Sequence, residues 1–158
     1  MKYRYLTNEE LKELEKEFKY FLIANHVYTE EWEELNKKKD KRVQELIELF
    51  SDVVLDKALK KIRFLEHLTH HDINSFKCDD TEMTLIGISS KNKAIDFTKD
   101  VLSDIGDELD IFKTKKTYYK QRELEVFELL KSGCSIIDEE RFKKLELAYS
   151  YSTKQIKN

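Results

Sequence analysis

The chain has 158 residues, a length that suits one domain whose folding would bury roughly two thirds of the surface of the unfolded chain. Hydrophobic residues make up 40% and charged residues 39%, and this apolar fraction excludes a disordered chain. The 29 lysines and arginines against 32 aspartates and glutamates give a net charge of -3, which argues mildly against nucleic acid as the main partner.

The sequence predicts a soluble, cytoplasmic protein. Cys78 and Cys134 lie too far apart in sequence to form a disulfide framework, which favours a reducing compartment. The N-terminus has no apolar segment of the signal-peptide kind. The run Tyr20 to Ala24, about the longest apolar stretch, is far shorter than the ~20 residues that a membrane span needs.

The first part of the chain has helical periodicity. Thr7 and Glu10 have the spacing of a capping box, which predicts a helix that ends near Asn25. Thr29 is expected to cap a short second helix. A long helix follows, because apolar residues keep a helical period over residues 43–58.

The period changes after this helix. Between residues 62 and 88, β-branched and aromatic residues alternate with polar ones at strand spacing. The polar tetrads 69–72 and 79–82 have the composition of turns. We therefore expect a three-stranded antiparallel meander, apolar on both faces and covered on both.

Loops of four residues fix the expected register of this meander. They pair Leu68 with Ile73 and Cys78 with Met83. A fourth strand is expected over residues 109–114.

The C-terminal part is predicted to return to helices. A short helix is expected around residues 98–105, and a longer one over residues 116–132 with a left-handed cap at Gly133. Asp138 can cap a final helix, and the tail 151–158 is expected to fray. The fold class is α+β, a single domain over residues 1–150 with N-terminal helices, a central meander of three to four strands and C-terminal helices that cover the sheet.

A histidine-rich segment is the first candidate site, formed by Glu66, His67, His70 and His71. Imidazoles beside carboxylates can bind zinc. On a strand, however, Glu66 and His67 point to opposite faces, which favours a polar hairpin loop over a metal site. A solvated position at a sheet edge is the favoured interpretation of Glu66, and an ion pair with Arg or Lys, or a tuned acid, is the alternative.

A basic and aromatic run is the second candidate. It comprises Lys113, Lys115, Lys116, Tyr118, Tyr119, Lys120 and Arg122. Cations beside aromatic rings can hold phosphates and stack bases, so RNA binding is an open alternative. An ordinary solvated face would look the same, and we favour that interpretation because the whole chain is acidic.

Several segments resemble a small family of uncharacterised bacterial proteins, a domain of unknown function. The similar segments are Met1 to Thr7, Leu49 to Val54, Leu65 to His67 and Phe127 to Gly133. The resemblance covers most of the chain and implies a bacterial, cytoplasmic, single-domain protein. It implies no activity and no site residues.

The sequence favours a non-enzymatic binding or regulatory module that acts through a protein partner or a homodimer, without a cofactor or metal. High aromatic content can supply the anchors of an interface. The first alternative is a metal-assisted enzyme that uses Glu66 and the three histidines. The second is RNA binding through residues 113–122.

Overall fold

The computed structural model describes the backbone of residues 1–99 and 109–157, and the side chains of residues 1–99 and 109–153. The chain forms two compact units, Met1–Leu59 and Lys60–Asn158. The fold is α+β, as the sequence predicts. The single domain over residues 1–150 stays a prediction, because two compact units can belong to one cooperatively folding domain.

The N-terminal unit is helical, with α1 at Asn8–Glu13, α2 at Glu15–Ala24, α3 at Thr29–Lys37 and α4 at Lys41–Lys60. The capping box is confirmed, since Thr7 Oγ1 accepts the Glu10 N–H and the Glu10 carboxylate accepts the Thr7 N–H. The predicted first helix is interrupted at Leu14.

The expected cap at Thr29 is wrong. Tyr28 has extended backbone angles, φ −94° and ψ 163°, and therefore occupies the N-cap position of α3 itself. Thr29 is the first helical residue.

A small core holds the N-terminal unit together. Leu22, Val27 and Leu46 are buried, and Phe18 packs against this cluster. The ring centroids of Phe18 and Phe50 lie 4.8 Å apart. The segment before α1 is tied to α4 by hydrogen bonds, since Asp52 accepts the backbone N–H groups of Lys2 and Tyr3 and Ser51 Oγ accepts that of Leu6.

The second unit is built on one antiparallel sheet with the order β4-β3-β2-β1-β5. The strands are β1 at Phe64–Leu68, β2 at Asp72–Cys78, β3 at Glu82–Ser90, β4 at Leu109–Thr117 and β5 at Ser135–Ile136. The predicted meander and fourth strand are confirmed. The two-residue β5 is an addition, too short to leave a pattern in the sequence.

The predicted register is confirmed at both turns. Leu68 pairs with Ile73, and Cys78 pairs with Met83. Across the next strand pair Gly87 lies opposite Phe112, whose ring occupies the space beside the glycine. A Cβ on Gly87 would come within 2.2 Å of this ring, so the ring position requires glycine.

Two helices complete this unit, α5 at Arg122–Lys131 and α6 at Glu139–Lys157. The predicted cap of the final helix is confirmed, because Asp138 accepts the Arg141 N–H at 2.8 Å. Phe142 and Leu145 of α6 are buried against Ile73, Ile86 and Ile88 of the sheet.

The predicted start of the penultimate helix at Lys116 is wrong. β4 continues through Lys116 to Thr117 because it pairs with β3 along its whole length, and α5 begins only at Arg122. The cap at Gly133 fits its φ of +107°. The short helix expected at 98–105 lies largely outside the described residues, and α6 includes residues 151–157, where a frayed tail in solution stays a prediction.

Among residues 1–99 and 109–157, no helix combines the length and the apolar character that crossing a membrane requires.

Candidate functional site

Glu66 forms a largely buried ion pair with Arg141 in the second unit. Its side chain lies in β1 and the residue is only 6% exposed. The Arg141 guanidinium of α6 donates from Nε to Oε2 at 3.0 Å and from Nη2 to Oε1 at 3.1 Å. Ser75 Oγ donates to Oε2 at 3.1 Å. This two-pronged geometry is the strongest form of the arginine–carboxylate contact.

The favoured sequence interpretation of Glu66, a solvated carboxylate at a sheet edge, is therefore wrong. β1 is not an edge strand, because β5 pairs on its outer side and places Ser135 opposite Glu66. The alternative, an ion pair with arginine, is confirmed. Burial would be costly for a lone carboxylate, and Arg141 with Ser75 compensates it.

The structure separates the histidine-rich candidates. His67 lies on the face of the sheet opposite Glu66, where a Cβ on Gly133 would be 3.4 Å from its Nε2 atom. His70 and His71 lie in the β1–β2 turn, as predicted. Among the described residues, no three His, Cys, Asp or Glu side chains come together as a metal-binding group.

His70 has partners that the sequence did not indicate. Its Nδ1 atom lies 3.0 Å from both carboxylate oxygens of Asp96, and Thr98 Oγ1 donates to Asp96 at 2.6 Å. Hydrogen bonds from Thr98, then the contact with His70, lower the pKa of Asp96 to about 2. The pair lies 26 residues apart along the chain, too far for a local motif.

A polar pocket of about 380 Å³ lies beside this turn. Its lining includes His71, Ser89 and Lys93, together with Asp72 and Asn92. Because basic and acidic side chains line the same pocket, its charge favours no single class of ligand.

The basic and aromatic run is largely neutralised by carboxylates. Four lysines have acidic neighbours: Lys113 with Glu146 at 3.6 Å, Lys115 with Glu82 at 3.5 Å, Lys116 with Glu125 at 2.6 Å and Lys120 with Glu128 at 2.5 Å. Phosphate binding relies on cations that displace counterions from the nucleic acid. These pairs therefore weaken the potential that the sequence pattern indicated.

The remaining members of the run have different roles. Arg122 is buried and donates to the carbonyl oxygens of Cys78 and Ile62. Tyr118 donates to the Asp79 carbonyl at 2.7 Å, and burial raises the pKa of its phenol well above its usual value. Tyr119 is 88% exposed. Within the run, Tyr118 and Arg122 thus donate hydrogen bonds to backbone carbonyl groups, whereas Tyr119 lies on an open surface.

Both cysteines are free thiols. Burial raises the pKa of Cys78 to about 11, and burial also raises the pKa of Cys134. A nucleophilic cysteine needs the opposite shift, because the thiolate is the reactive form.

The N-terminal unit contains a groove between α2 and α3, which the sequence analysis did not single out. We call it the α2–α3 groove. It has a volume of about 360 Å³. Its apolar wall is formed by Phe18, Leu22, Ile23, Val27 and Trp32, and its polar lining by Glu15, Lys19, Thr29 and Glu33.

The local sequence explains the shape of this groove. Phe18 and Leu22 are four residues apart on α2, and so share one face of the helix. The Trp32 ring of α3 meets Phe18 edge-on, with centroids 5.1 Å apart. Ile23 lies at the open side and is 50% exposed. The clue in the sequence was this set of aromatic and aliphatic residues on two short helices.

Comparison with known proteins identifies a family for this chain, and the description of that family names no activity. No curated protein and no solved structure matches it. A family model described as a family of unknown function, DUF6495, matches residues 1–150. The chain belongs to that family, DUF6495.

Proposed function

We propose that this protein is a non-enzymatic binding module that holds an amphipathic helix of a partner protein in the α2–α3 groove. The observation that carries the proposal is the apolar wall of this groove, in which Trp32 and Phe18 stand beside the half-exposed Ile23. Tryptophan is among the residues that contribute most to binding at protein interfaces.

The two-helix construction of the groove supports a helix as the occupant. Its wall is built from two helices joined by a short connection, and two such helices leave a furrow that receives apolar side chains spaced by three or four residues. Ile23, at 50% exposure, leaves part of this apolar wall open to solvent. Exposed apolar surface in a groove is typical of interaction sites.

The alternatives receive less support from the geometry. Glu66 and the histidines, which the enzyme alternative requires together, lie on opposite faces of the sheet or in its turn. The RNA alternative depends on lysines that already have carboxylate neighbours. A cytoplasmic location is part of the proposal, supported by the two free thiols.

Calorimetry with a designed peptide tests the proposal. The peptide is a 16-residue helix with leucines on one face and glutamine on the other. We expect saturable one-to-one binding that Ile23→Asp abolishes, because an aspartate would place a charge in the apolar wall. Leu147→Asp is the matched control, since Leu147 is 58% exposed on α6, outside the groove lining.

The proposal is overturned if the peptide shows no binding, or if both variants lose it equally. Sedimentation without peptide separates a second copy of the chain from a foreign helix. A dimer that Ile23→Asp dissociates would assign the groove to self-association and contradict the heterologous partner.

A further inference from the structure

We infer that the partner helix is basic, with Lys or Arg side chains on both borders of its apolar face. This inference rests on the proposed function and specifies the chemistry of the partner. It follows from the carboxylates that flank the α2–α3 groove on both of its helices.

Glu15 of α2 and Glu33 of α3 both belong to the groove lining and are exposed. Within the part of the chain that the structure describes, neither carboxylate lies within ion-pair distance of a lysine or arginine. Other acids of the same helices are engaged, since Glu31 pairs with Arg42 and Glu34 pairs with Lys38. The two carboxylates at the groove are thus available to a partner.

The surrounding charge has the same sign. Over α2 and α3 (residues 15–37) six glutamates face three lysines, Lys16, Lys19 and Lys37, and there is no arginine or aspartate. Lys19 is the one base in the groove lining. The field at the groove therefore attracts a cationic helix and repels an acidic helix or an anionic lipid surface.

The β4 strand has the opposite character. Its lysines stand against glutamates of the same unit, so no comparable set of unengaged charges is present there among the described residues. Charge complementarity thus selects the groove over β4 as the surface that distinguishes partners by charge.

Three peptides test the inference. They share one leucine face and carry lysine, glutamine or glutamate on its borders. The chain has a single tryptophan, Trp32, and it lies in the groove, so its emission reports binding without a label. At 50 mM salt we expect the lysine peptide to bind most tightly and the glutamate peptide most weakly, and 500 mM salt should compress the differences.

Charge-removing variants test which carboxylates act. Glu15→Gln and Glu33→Gln should each weaken the binding of the lysine peptide about 2- to 5-fold, as expected for exposed ion pairs. Neither variant should change the affinity for the glutamine peptide. Glu45→Gln is the matched control, since this exposed glutamate of α4 lies outside the groove lining and its loss changes the net charge equally. Lys19→Gln should increase the affinity for the lysine peptide.

The outcomes separate this inference from the proposed function. Equal affinity of all three peptides would overturn the basic partner and leave the helix groove standing. Tighter binding of the glutamate peptide would overturn it also. Binding of none of them would remove the proposed function itself.

Discussion

Arg141 and Glu66 lie 75 residues apart in the sequence and join through two hydrogen bonds of 3.0 and 3.1 Å. The pair ties α6 to β1, while Asp138, three residues before Arg141, caps the same helix. One turn of α6 thus fixes both the start of the helix and its attachment to the sheet.

Removal of Arg141 should be costly. Arg141→Ala leaves Glu66 buried with Ser75 as its one remaining side-chain partner among the described residues, and we expect a loss of about 2–4 kcal/mol in the free energy of unfolding. The estimate lies toward the lower part of the usual range because the Arg141 side chain is 35% exposed. Urea denaturation measures the change.

The matched control is Arg63→Ala, which breaks the exposed pair with Asp80 and should change stability little. Equal losses of stability in the two variants would show that the buried Glu66–Arg141 pair stabilises the fold no more than an exposed ion pair does.

Gly87 and Phe112 should be coupled. Gly87→Ala forces the Phe112 ring out of its position, because the added Cβ would meet the ring at 2.2 Å. We expect this variant to lose about 1 kcal/mol, as in mild overpacking. In a Phe112→Ala background the same change should be neutral or stabilising, since alanine suits a strand better than glycine. A double-mutant cycle measures the coupling, and strict additivity would refute it.

Tyr118 should make stability fall at high pH. Burial raises the phenol's pKa above its ordinary value of 10.0, so the unfolded chain loses this proton first as pH rises. The contribution of Tyr118 to the free energy of unfolding is complete below pH ~10 and is lost progressively above it. Tyr118→Phe should show a shallower alkaline decline in the free energy of unfolding, and Tyr119→Phe should retain the original slope. Indistinguishable slopes would contradict the burial of Tyr118.

Tyr118→Phe should also weaken the fold at neutral pH. The Asp79 and Glu82 carbonyls lose their shared donor, at a cost of about 1 kcal/mol. Urea denaturation at pH 7 measures this loss.

Asp96 should remain ionised in acid. Thr98 is the main cause of its pKa of about 2, against an ordinary value of 3.8. Because the folded-state pKa is depressed, this stabilising effect is present above pH ~4 and disappears as pH falls through about 2. Carboxyl NMR titration should show Thr98→Val raising the pKa of Asp96 more than His70→Gln does. The reverse order would assign the shift to the imidazole.

Local pattern was sufficient to predict the hairpins. Four-residue polar tetrads set the pairing of Leu68 with Ile73 and of Cys78 with Met83, because turn length fixes register. The same reasoning failed at Lys116. The residues of β4 have no local preference strong enough to reveal that pairing with β3 continues to Thr117.

The partners of the candidate side chains depended on contacts distant in sequence. Nothing near Glu66 indicates that Arg141 will neutralise it, and nothing near His70 indicates Asp96. The α2–α3 groove was also missed, although its apolar residues were visible. Helical periodicity shows which side chains face inward, but it does not show where two helices leave a furrow.

Amide NMR spectra recorded during addition of the lysine-bordered peptide would locate the binding surface. We expect chemical-shift changes concentrated on the lining of the α2–α3 groove, led by Ile23 and the indole N–H of Trp32, and absent in Ile23→Asp. Shifts confined to β4, or unchanged spectra at saturating peptide, would contradict the assignment of the groove as the partner site.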